Sequence, residues 1–197
     1  VTFELTQEAM RDLIRATIFA ASADETRAIL TGVLLTGDKN GVKMVATDSY
    51  RLAVKTASLN SEKSAGGEDG WQVIIPARAL QELNRLLEPA DEETPVKVSA
   101  GEQQIRFEVG PYMLVSRLIE GQFPNYERVI PAEVDRKVVV NREDLQGAIK
   151  RAAIVARAEA SKLVFRTQEG VLTITAESGD VGRAREELAA KVEGEDI

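Results

Sequence analysis

The sequence contains no cysteine and no histidine among its 197 residues. Without cysteine the chain cannot form disulfides, thiolate zinc sites or cysteine nucleophiles. Without histidine it lacks the commonest general base and the commonest metal ligand, so an enzyme here would depend on carboxylate or lysine chemistry. We therefore expect a protein that is not an enzyme and that holds no metal or cofactor.

Long apolar runs are also absent, since no stretch approaches the roughly 18 apolar residues that a membrane span needs. The first residues, Val1–Leu5, have neither the basic region nor the apolar core of a signal peptide. Hydrophobic residues make up 44% of the chain and charged residues 29%, which is typical of a soluble globular protein. Because Val1 is not methionine, we expect a start cut from a longer chain.

Acidic residues outnumber basic ones, with 32 Asp and Glu against 25 Lys and Arg, which gives a net charge of −7. Affinity for DNA phosphates comes mostly from clustered Lys and Arg. An acidic protein is therefore a poor nonspecific DNA binder as a whole. Any contact with DNA must use a local basic surface.

The first part of the chain predicts a helix followed by a hairpin. The helix is expected over 6–21, with Thr6 as its N-cap. Its apolar stripe has helical spacing and consists of Met10, Leu13, Ile14, Thr17, Ile18 and Ala21. The dipeptide Asn40-Gly41 predicts the hairpin turn. The hairpin strands, a third strand and a polar loop are predicted at Leu30–Leu35, Val42–Thr47, Arg51–Leu59 and 60–70.

The next part predicts a second helix and three more strands. A short strand at Val73–Ile75 leads through Pro76 into a helix over 77–88, with Leu80, Leu83, Leu86 and Leu87 on one face. The strands are expected at 95–99, 103–109 and 112–117. Residues 118–132 contain Pro124 and Pro131 and are predicted to be a linker.

After the linker the pattern restarts, which predicts an internal repeat. A strand at 138–140 precedes Asn141, which takes the place of Thr6 and caps a helix to about Arg157. Met10 then corresponds to Leu145, Leu13 to Ala148 and Ile14 to Ile149. Residues 40–47 align with 169–176, in a hairpin of strands 162–167 and 170–176 that turns at Glu169-Gly170, and a last strand is expected within 183–192. Because the second unit stops halfway, we expect a truncated chain.

Basic residues recur on one face of each predicted helix. Arg11 and Arg15 are four residues apart, Arg78 and Arg85 are seven apart, and the repeat supplies Lys150 and Arg157. For any single helix, an ordinary solvated face is the alternative. Recurrence on three helices favours a DNA-facing surface that attracts the backbone without reading bases.

A second candidate surface is the segment Thr47-Asp48-Ser49-Tyr50-Arg51-Leu52. Tyr and Arg are enriched where interfaces concentrate their binding energy. The alternative is structural, with Leu52 in the core, Tyr50 half-buried and Arg51 paired with Asp48. A third candidate is 123–131, whose prolines and aromatics suit an extended linker packed on a domain surface.

Little else in the sequence indicates chemistry, because it has neither a phosphate-binding glycine loop nor a GxSxG motif. The acidic run Asp91-Glu92-Glu93 is better explained as a solvated loop than as a metal site, which needs carboxylates from separate elements. A small-molecule-binding or enzymatic α+β domain that uses Asp48 and Arg51 stays open as the alternative function.

Three motifs resemble those of the bacterial DNA polymerase III beta sliding clamps. Residues 46–53, ATDSYRLA, resemble the ATD-x-x-RLA signature, and 73–78, VIIPAR, resemble the family's strand that leads into its second helix. Residues 118–126, LIEGQFPNY, resemble the interdomain linker, LI-[ED]-G-x-FP-x-Y. The motifs occur in the family's order and spacing, and the resemblance covers essentially the whole chain.

The resemblance implies an α+β clamp fold of repeated amphipathic helices backed by antiparallel sheets. It implies a middle domain over 1–132 and the first half of a C-terminal domain over 133–197. In the family, two three-domain subunits close into a homodimeric ring that encircles duplex DNA without sequence preference. Its implied partners are the DNA polymerase III alpha subunit, the clamp loader and other proteins with a clamp-binding peptide, all in the bacterial cytoplasm.

The resemblance also implies a partner-peptide pocket. The matching positions are Leu30, Thr47, Ser49, Tyr50, Arg51, Leu52, Pro124, Arg128 and Val129. The chain departs from the family at two positions. Tyr50 stands where histidine is common, and Ala160 stands where some members have phenylalanine, so the rim and one wall are expected to differ in shape.

Overall fold

The computed structural model describes residues 1–38, 41–59, 70–87, 94–157 and 162–196. The chain forms two compact units, Val1–Glu127 and Arg128–Ile197, and their boundary falls inside the predicted linker. The predictions made for Asn40, 60–69, 91–93 and Ala160 lie outside the described residues.

The first unit contains two half-units with the same order of elements, which is a strand, a helix and then three strands. The first half-unit comprises β1 (Thr2–Leu5), α1 (Gln7–Thr17), β2 (Gly32–Gly37), β3 (Gly41–Thr47) and β4 (Leu52–Ser58). The second comprises β5 (Trp71–Pro76), α2 (Ala77–Leu86), β6 (Val96–Ala100), β7 (Gln104–Val109) and β8 (Tyr112–Arg117). Two 3₁₀ segments, Ile18–Ala20 and Glu25–Thr31, connect α1 to β2.

The two half-units exchange their first strands. One antiparallel sheet has the order β4-β3-β2-β5 and the other has the order β1-β6-β7-β8. The strand before each helix therefore pairs with the strand that follows the other helix. This exchange ties the two halves into one unit, because neither sheet is complete without a strand from the other half.

Successive side chains of the sheet β4-β3-β2-β5 alternate between its two faces, and both faces carry buried residues. Its helix-facing side chains join the main core, which includes Val33, Leu35, Val42, Met44, Ala46, Ile75 and, from α1, Met10, Leu13 and Ile14. Its opposite side chains form a smaller cluster of Leu34, Val45 and Ile74 with Phe123. We call the face that carries this smaller cluster the outer face.

The helix caps follow the sequence prediction. Thr6 Oγ1 accepts a hydrogen bond from the Ala9 amide at 3.1 Å, and Asn141 Oδ1 accepts bonds from the amides of Glu143 and Asp144 at 2.8 and 3.2 Å. The predicted end of the first helix at residue 21 is wrong. The α-helix ends at Thr17, whose φ of −125° departs from helical geometry, and the chain tightens into a 3₁₀ turn before it becomes extended at Ala21.

Two further corrections concern short elements. Leu30 lies in a 3₁₀ segment instead of the predicted strand, and the strand begins only at Gly32. Gly32 packs closely on the neighbouring strand, since a Cβ atom there would lie 2.5 Å from Ile74 Cγ2. The strand β1 is absent from the sequence prediction. Its four residues are too few to show a period, although Phe3 and Leu5 are buried.

The second unit comprises β9 (Lys137–Val140), α3 (Arg142–Ala156), β10 (Val164–Gln168), β11 (Val171–Ser178) and β12 (Gly182–Glu193). Its strands form one antiparallel sheet in the order β10-β11-β12-β9. The helix packs through Ala148 and Ala152, whose small side chains allow a close approach to Leu172 and Ile174 of the sheet. Arg151 also forms a bidentate ion pair with Glu186 of β12, at 3.0 and 2.6 Å.

The internal repeat is present, but the predicted hairpin alignment is wrong by one residue. The predicted alignment matches Val45 with Ile174. Val45, however, belongs to the outer face of its sheet, whereas Ile174 packs with the helix α3. By side of the sheet, Met44 corresponds to Ile174. A shift of one residue moves every side chain of a strand to the other face of the sheet. Sequence similarity cannot reveal this shift when the residues on both faces are apolar.

Candidate functional site

The turn between β3 and β4 is ordered by its own polar side chains. Thr47 Oγ1 donates to the Arg51 carbonyl at 2.7 Å and accepts from the Ser49 amide at 3.2 Å. Asp48 Oδ1 accepts from the amides of Tyr50 and Arg51, both at 3.0 Å. Ser49 has a φ of +79°, in the left-handed region that is unfavourable for residues other than glycine. The shape of this turn thus depends on side-chain hydrogen bonds within it.

The Asp48 carboxylate is committed to the turn. Besides the two amides, its Oδ2 accepts a bond from Arg51 Nε at 3.1 Å. The hydrogen bond from the Tyr50 amide, followed by the amide and charge of Arg51, holds the pKa of Asp48 below its usual value. A carboxylate with these partners stabilises a loop, and it has little capacity left for general-base chemistry.

This lowered pKa predicts how the stability of the turn depends on pH. Because Asp48 is more acidic in the folded chain than in the unfolded one, its contribution is complete above the unfolded pKa, about 3.9, and is lost as the pH falls through the folded pKa. We expect Asp48→Asn, which keeps a carbonyl oxygen but cannot titrate, to lower Tm by a constant amount between pH 8 and pH 5. The difference should shrink below about pH 4. A difference in Tm that is unchanged at pH 3 would contradict this assignment.

Arg51 and Tyr50 emerge from the turn in different environments. The Arg51 guanidinium lies 5.7 Å from the centre of the Phe19 ring, so the aromatic face and Asp48 fix it from two sides. The pairing of Arg51 with Asp48 confirms that part of the structural alternative. The half-buried Tyr50 of that alternative is wrong, because 93% of Tyr50 is exposed. A core position for Leu52 is also wrong, because Leu52 is only half-buried, against the outer-face cluster.

The segment before β2 approaches this turn through an arginine that the sequence analysis missed. Arg27 donates from Nη1 to the Asp48 carbonyl at 3.0 Å. The same segment carries Leu30, whose carbonyl accepts a bond from the Ser22 amide at 2.8 Å. Arg27 therefore connects the segment that carries Leu30 to the 47–52 turn, and the two are far apart in sequence.

The segment after β8 packs on the outer face, as predicted for a linker on a domain surface. The Ile119 amide donates to the Ile74 carbonyl at 2.9 Å, and Phe123 is only 7% exposed in the cluster with Leu34 and Val45. Ile29, Ile119, Tyr126 and Leu52 pack around this cluster. The linker thus completes an apolar surface that ends at Leu52.

The remaining predicted pocket residues are exposed. Pro124 follows the buried Phe123, and Arg128 and Val129 lie in a 3₁₀ turn, Tyr126–Val129, that spans the boundary between the units. Val129 is 68% exposed. Tyr126, which leads into them, packs beneath Lys43, whose Nζ lies 5.8 Å from the ring centre.

Five of the six predicted DNA-facing residues are exposed, and one is half-buried. Arg15, Arg78, Lys150 and Arg157 are exposed on their helices or helix ends. Arg85 is also exposed but is paired with Glu82, at 2.7 and 2.9 Å. Arg11 is half-buried and donates from Nη2 to the Leu87 carbonyl at 3.2 Å, so it also joins α1 to the end of α2.

Among the residues that the structure describes, no helix is long and apolar enough to cross a membrane.

Comparison with known proteins covers both units. Residues 4–125 match the family model described as "DNA polymerase III beta subunit, central domain", and residues 127–197 match that of its "C-terminal domain". A beta sliding clamp of Pseudomonas putida is 35% identical over 197 residues, which is all of this chain and 52% of the relative.

Solved structures give the same result. The DNA polymerase III subunit beta of Pseudomonas aeruginosa superposes with a TM-score of 0.92 at 31% identity, over all of this chain and 52% of that one. A sliding clamp of the same organism, solved bound to griselimycin, has a TM-score of 0.89 at 32% identity, with the same coverage. The chain spans about half the length of the relatives it matches. It belongs to the family of DNA polymerase III beta subunits, the beta sliding clamps.

Proposed function

We propose that the protein acts in DNA replication as a sliding clamp, a processivity factor that surrounds duplex DNA and tethers a polymerase to it. The observation that carries this proposal is the match of both compact units to consecutive domains of one clamp family. We assign 1–132 to the middle domain and 133–197 to the C-terminal domain. The complete protein is proposed to be a homodimeric ring in the bacterial cytoplasm, without catalytic activity of its own.

The proposed contact with DNA is weak because few cations are exposed on the helices. Exposed cations are spaced along the helices at Arg15, Arg78, Lys150 and Arg157, while acidic residues such as Glu8 and Asp12 share the exposed surface of α1. Dense Lys and Arg would neutralise many phosphates and bind tightly. A sparse set attracts DNA into the ring and still lets the ring slide.

The proposed contact with partners is a short peptide bound at the outer face. The apolar cluster around Phe123 ends at Leu52, and the turn beside it presents the exposed Tyr50 and a fixed Arg51. Aliphatic or aromatic anchors of a peptide would pack on Leu52 and Leu30, while the Arg51 stem would form a wall. The polymerase alpha subunit and the clamp loader are the proposed owners of such peptides.

The alternative function, an enzymatic or small-molecule site at Asp48 and Arg51, is disfavoured by the geometry. Both oxygens of the Asp48 carboxylate accept hydrogen bonds from its own turn. The side chain is a structural part of the peptide surface.

Retention on circular and linear DNA tests the topological proposal. The complete protein, assembled on nicked circular duplex by a cognate clamp loader, should stay bound through gel filtration and should be lost when a restriction enzyme linearises the DNA. A ring leaves a linear end by sliding, whereas a protein that grips phosphates does not. Equal retention on the two forms would refute the proposal.

A further inference from the structure

Arg27 forms four side-chain hydrogen bonds beside the proposed peptide surface. Its guanidinium donates to four acceptors: Asp24 Oδ2 at 3.1 Å, Ser22 Oγ at 3.1 Å, the Asp48 carbonyl at 3.0 Å and Ser49 Oγ at 3.4 Å. The first two lie in the segment before β2, and the last two lie in the turn between β3 and β4. Arg27 therefore bridges two segments that are separated by two strands in sequence.

The turn that Arg27 reaches contains a strained residue. Ser49 has a φ of +79°, and its Cβ atom makes this conformation unfavourable. Such a conformation persists only where the surroundings fix it. Two of the contacts that fix it are the bonds from Arg27 Nη1, one to the carbonyl just before Ser49 and one to the Ser49 hydroxyl.

Arg27 is itself held in place on the opposite side. The Ser22 hydroxyl, which accepts from Nη2, belongs to a residue that is only 8% exposed. Asp24 caps the 3₁₀ segment by accepting bonds from the Thr26 amide and hydroxyl, and it accepts from Arg27 Nε as well. The arginine is thus fixed by one segment and acts on the other.

We propose that Arg27 is a positioning residue that holds Ser49 in its left-handed conformation, so that the 47–52 turn is preformed before a peptide arrives. This inference rests on the proposed peptide-binding function. A preformed turn spares a peptide the cost of ordering it. Arg27 then contributes to affinity through the turn, without touching the peptide.

The test compares Arg27→Met in two backgrounds of the complete protein, the parent and Ser49→Gly. Glycine adopts a positive φ without strain, so a turn with glycine no longer needs Arg27. With a fluorescent short peptide that carries leucine and phenylalanine anchors, we expect Arg27→Met to weaken binding about tenfold in the parent, equivalent to ~1.4 kcal/mol. In the Ser49→Gly background the loss should be less than about threefold. Arg117→Met, at an exposed arginine on β8, is the control and should leave the affinity unchanged.

Amide hydrogen exchange without peptide gives a second measurement that does not depend on binding. Arg27→Met should speed exchange at Ser49, Tyr50 and Arg51, whose amides bond within the turn, and it should do so much less in the Ser49→Gly background. An equal loss of affinity in both backgrounds would show that Arg27 touches the peptide and would overturn the inference, as would unchanged exchange. If the parent protein binds no peptide while exchange responds as expected, the proposed function fails and the structural role of Arg27 stands.

Discussion

Leu52→Asp is expected to abolish peptide binding by the complete protein. Leu52 is half-buried at the edge of the outer-face cluster, beside the turn that presents Tyr50 and Arg51. Each large anchor that a peptide buries there is worth roughly 1.5–3 kcal/mol. Two anchors and a few hydrogen bonds correspond to micromolar affinity, about −8 kcal/mol. That strength suits a tether that several partners must share in turn.

An aspartate at position 52 removes more than one contact. The bound peptide would cover its carboxylate with apolar groups, and a charge without a partner is costly to bury. We expect affinity to fall by at least about 100-fold, which is beyond detection for a micromolar ligand. In the free protein the same carboxylate stays hydrated, because position 52 is only half-buried, so the fold should survive.

Two companion variants separate the loss of the anchor site from general damage. Val54→Asp places the same charge on the same strand and face, at a residue that is 39% exposed and outside the apolar cluster, and should bind peptide as the parent does. Leu52→Ala adds no charge and should weaken binding about tenfold by loss of contact alone. Fluorescence anisotropy gives the affinities, and circular dichroism gives the Tm of each variant.

For the Leu52→Asp rings that reach circular DNA, the half-life on the DNA should be unchanged, since the proposal assigns DNA to the helices and peptides to the outer face. The loaded amount should fall, because the clamp loader is a proposed owner of the peptide. A variant that binds the peptide as tightly as the parent would remove Leu52 from the site. A variant that loses the peptide and whose loaded rings also have a shorter half-life on DNA would show that the substitution damages the fold, and Leu52→Ala then decides whether the contact matters.

The sequence predicted the regular parts of this fold because local signals agree there with the tertiary structure. Thr6 and Asn141 cap their helices as expected, and Met10, Leu13 and Ile14 are buried together. The helix α2 ends at Leu86, within two residues of its predicted end, and α3 ends at Ala156, beside the predicted Arg157. A cap or a 3.6-residue stripe can be recognised without knowledge of the rest of the chain.

The parts that the sequence did not predict depend on distant partners. The strand β1 exists because Phe3 and Leu5 find a place beside β6, more than ninety residues later. Arg27 has no local signature, since its acceptors at Asp48 and Ser49 come close only after two strands have folded. The structural alternative made Tyr50 half-buried, but Tyr50 follows the left-handed Ser49 and its side chain is 93% exposed.

Reversing the exposed helix cations is expected to cause the second large effect, on retention of DNA. The decisive set is Arg15, Arg78, Arg85, Lys150 and Arg157, each replaced by glutamate. Arg11 is left out because its bond to the Leu87 carbonyl makes it part of the fold as well. Arg85→Glu breaks an exposed pair with Glu82, which costs little stability because exposed pairs contribute about 0–1 kcal/mol.

The expected loss depends strongly on salt and not on sequence. These cations would act at a distance without fixed phosphate partners, so their effect should weaken as the Debye length falls from about 30 Å at 0.01 M to about 10 Å at 0.1 M. We expect the half-life on nicked circular DNA to fall at least about tenfold at low salt, and the difference to narrow as salt increases. Circles of different base composition should show the same loss, because backbone attraction carries no sequence information.

A control with the same change in charge makes the result specific to the helices. Lys97, Arg117, Arg166, Arg183 and Lys191 are exposed on strands, and their replacement by glutamate alters the net charge by the same amount. If retention depends only on net charge, both sets will shorten it equally and the DNA-facing assignment fails. If the helices face the DNA, the strand set keeps the parent half-life while the helix set loses it. An unchanged half-life for the helix set at low salt would also refute the assignment, because weak screening is the condition under which those five charges act most strongly.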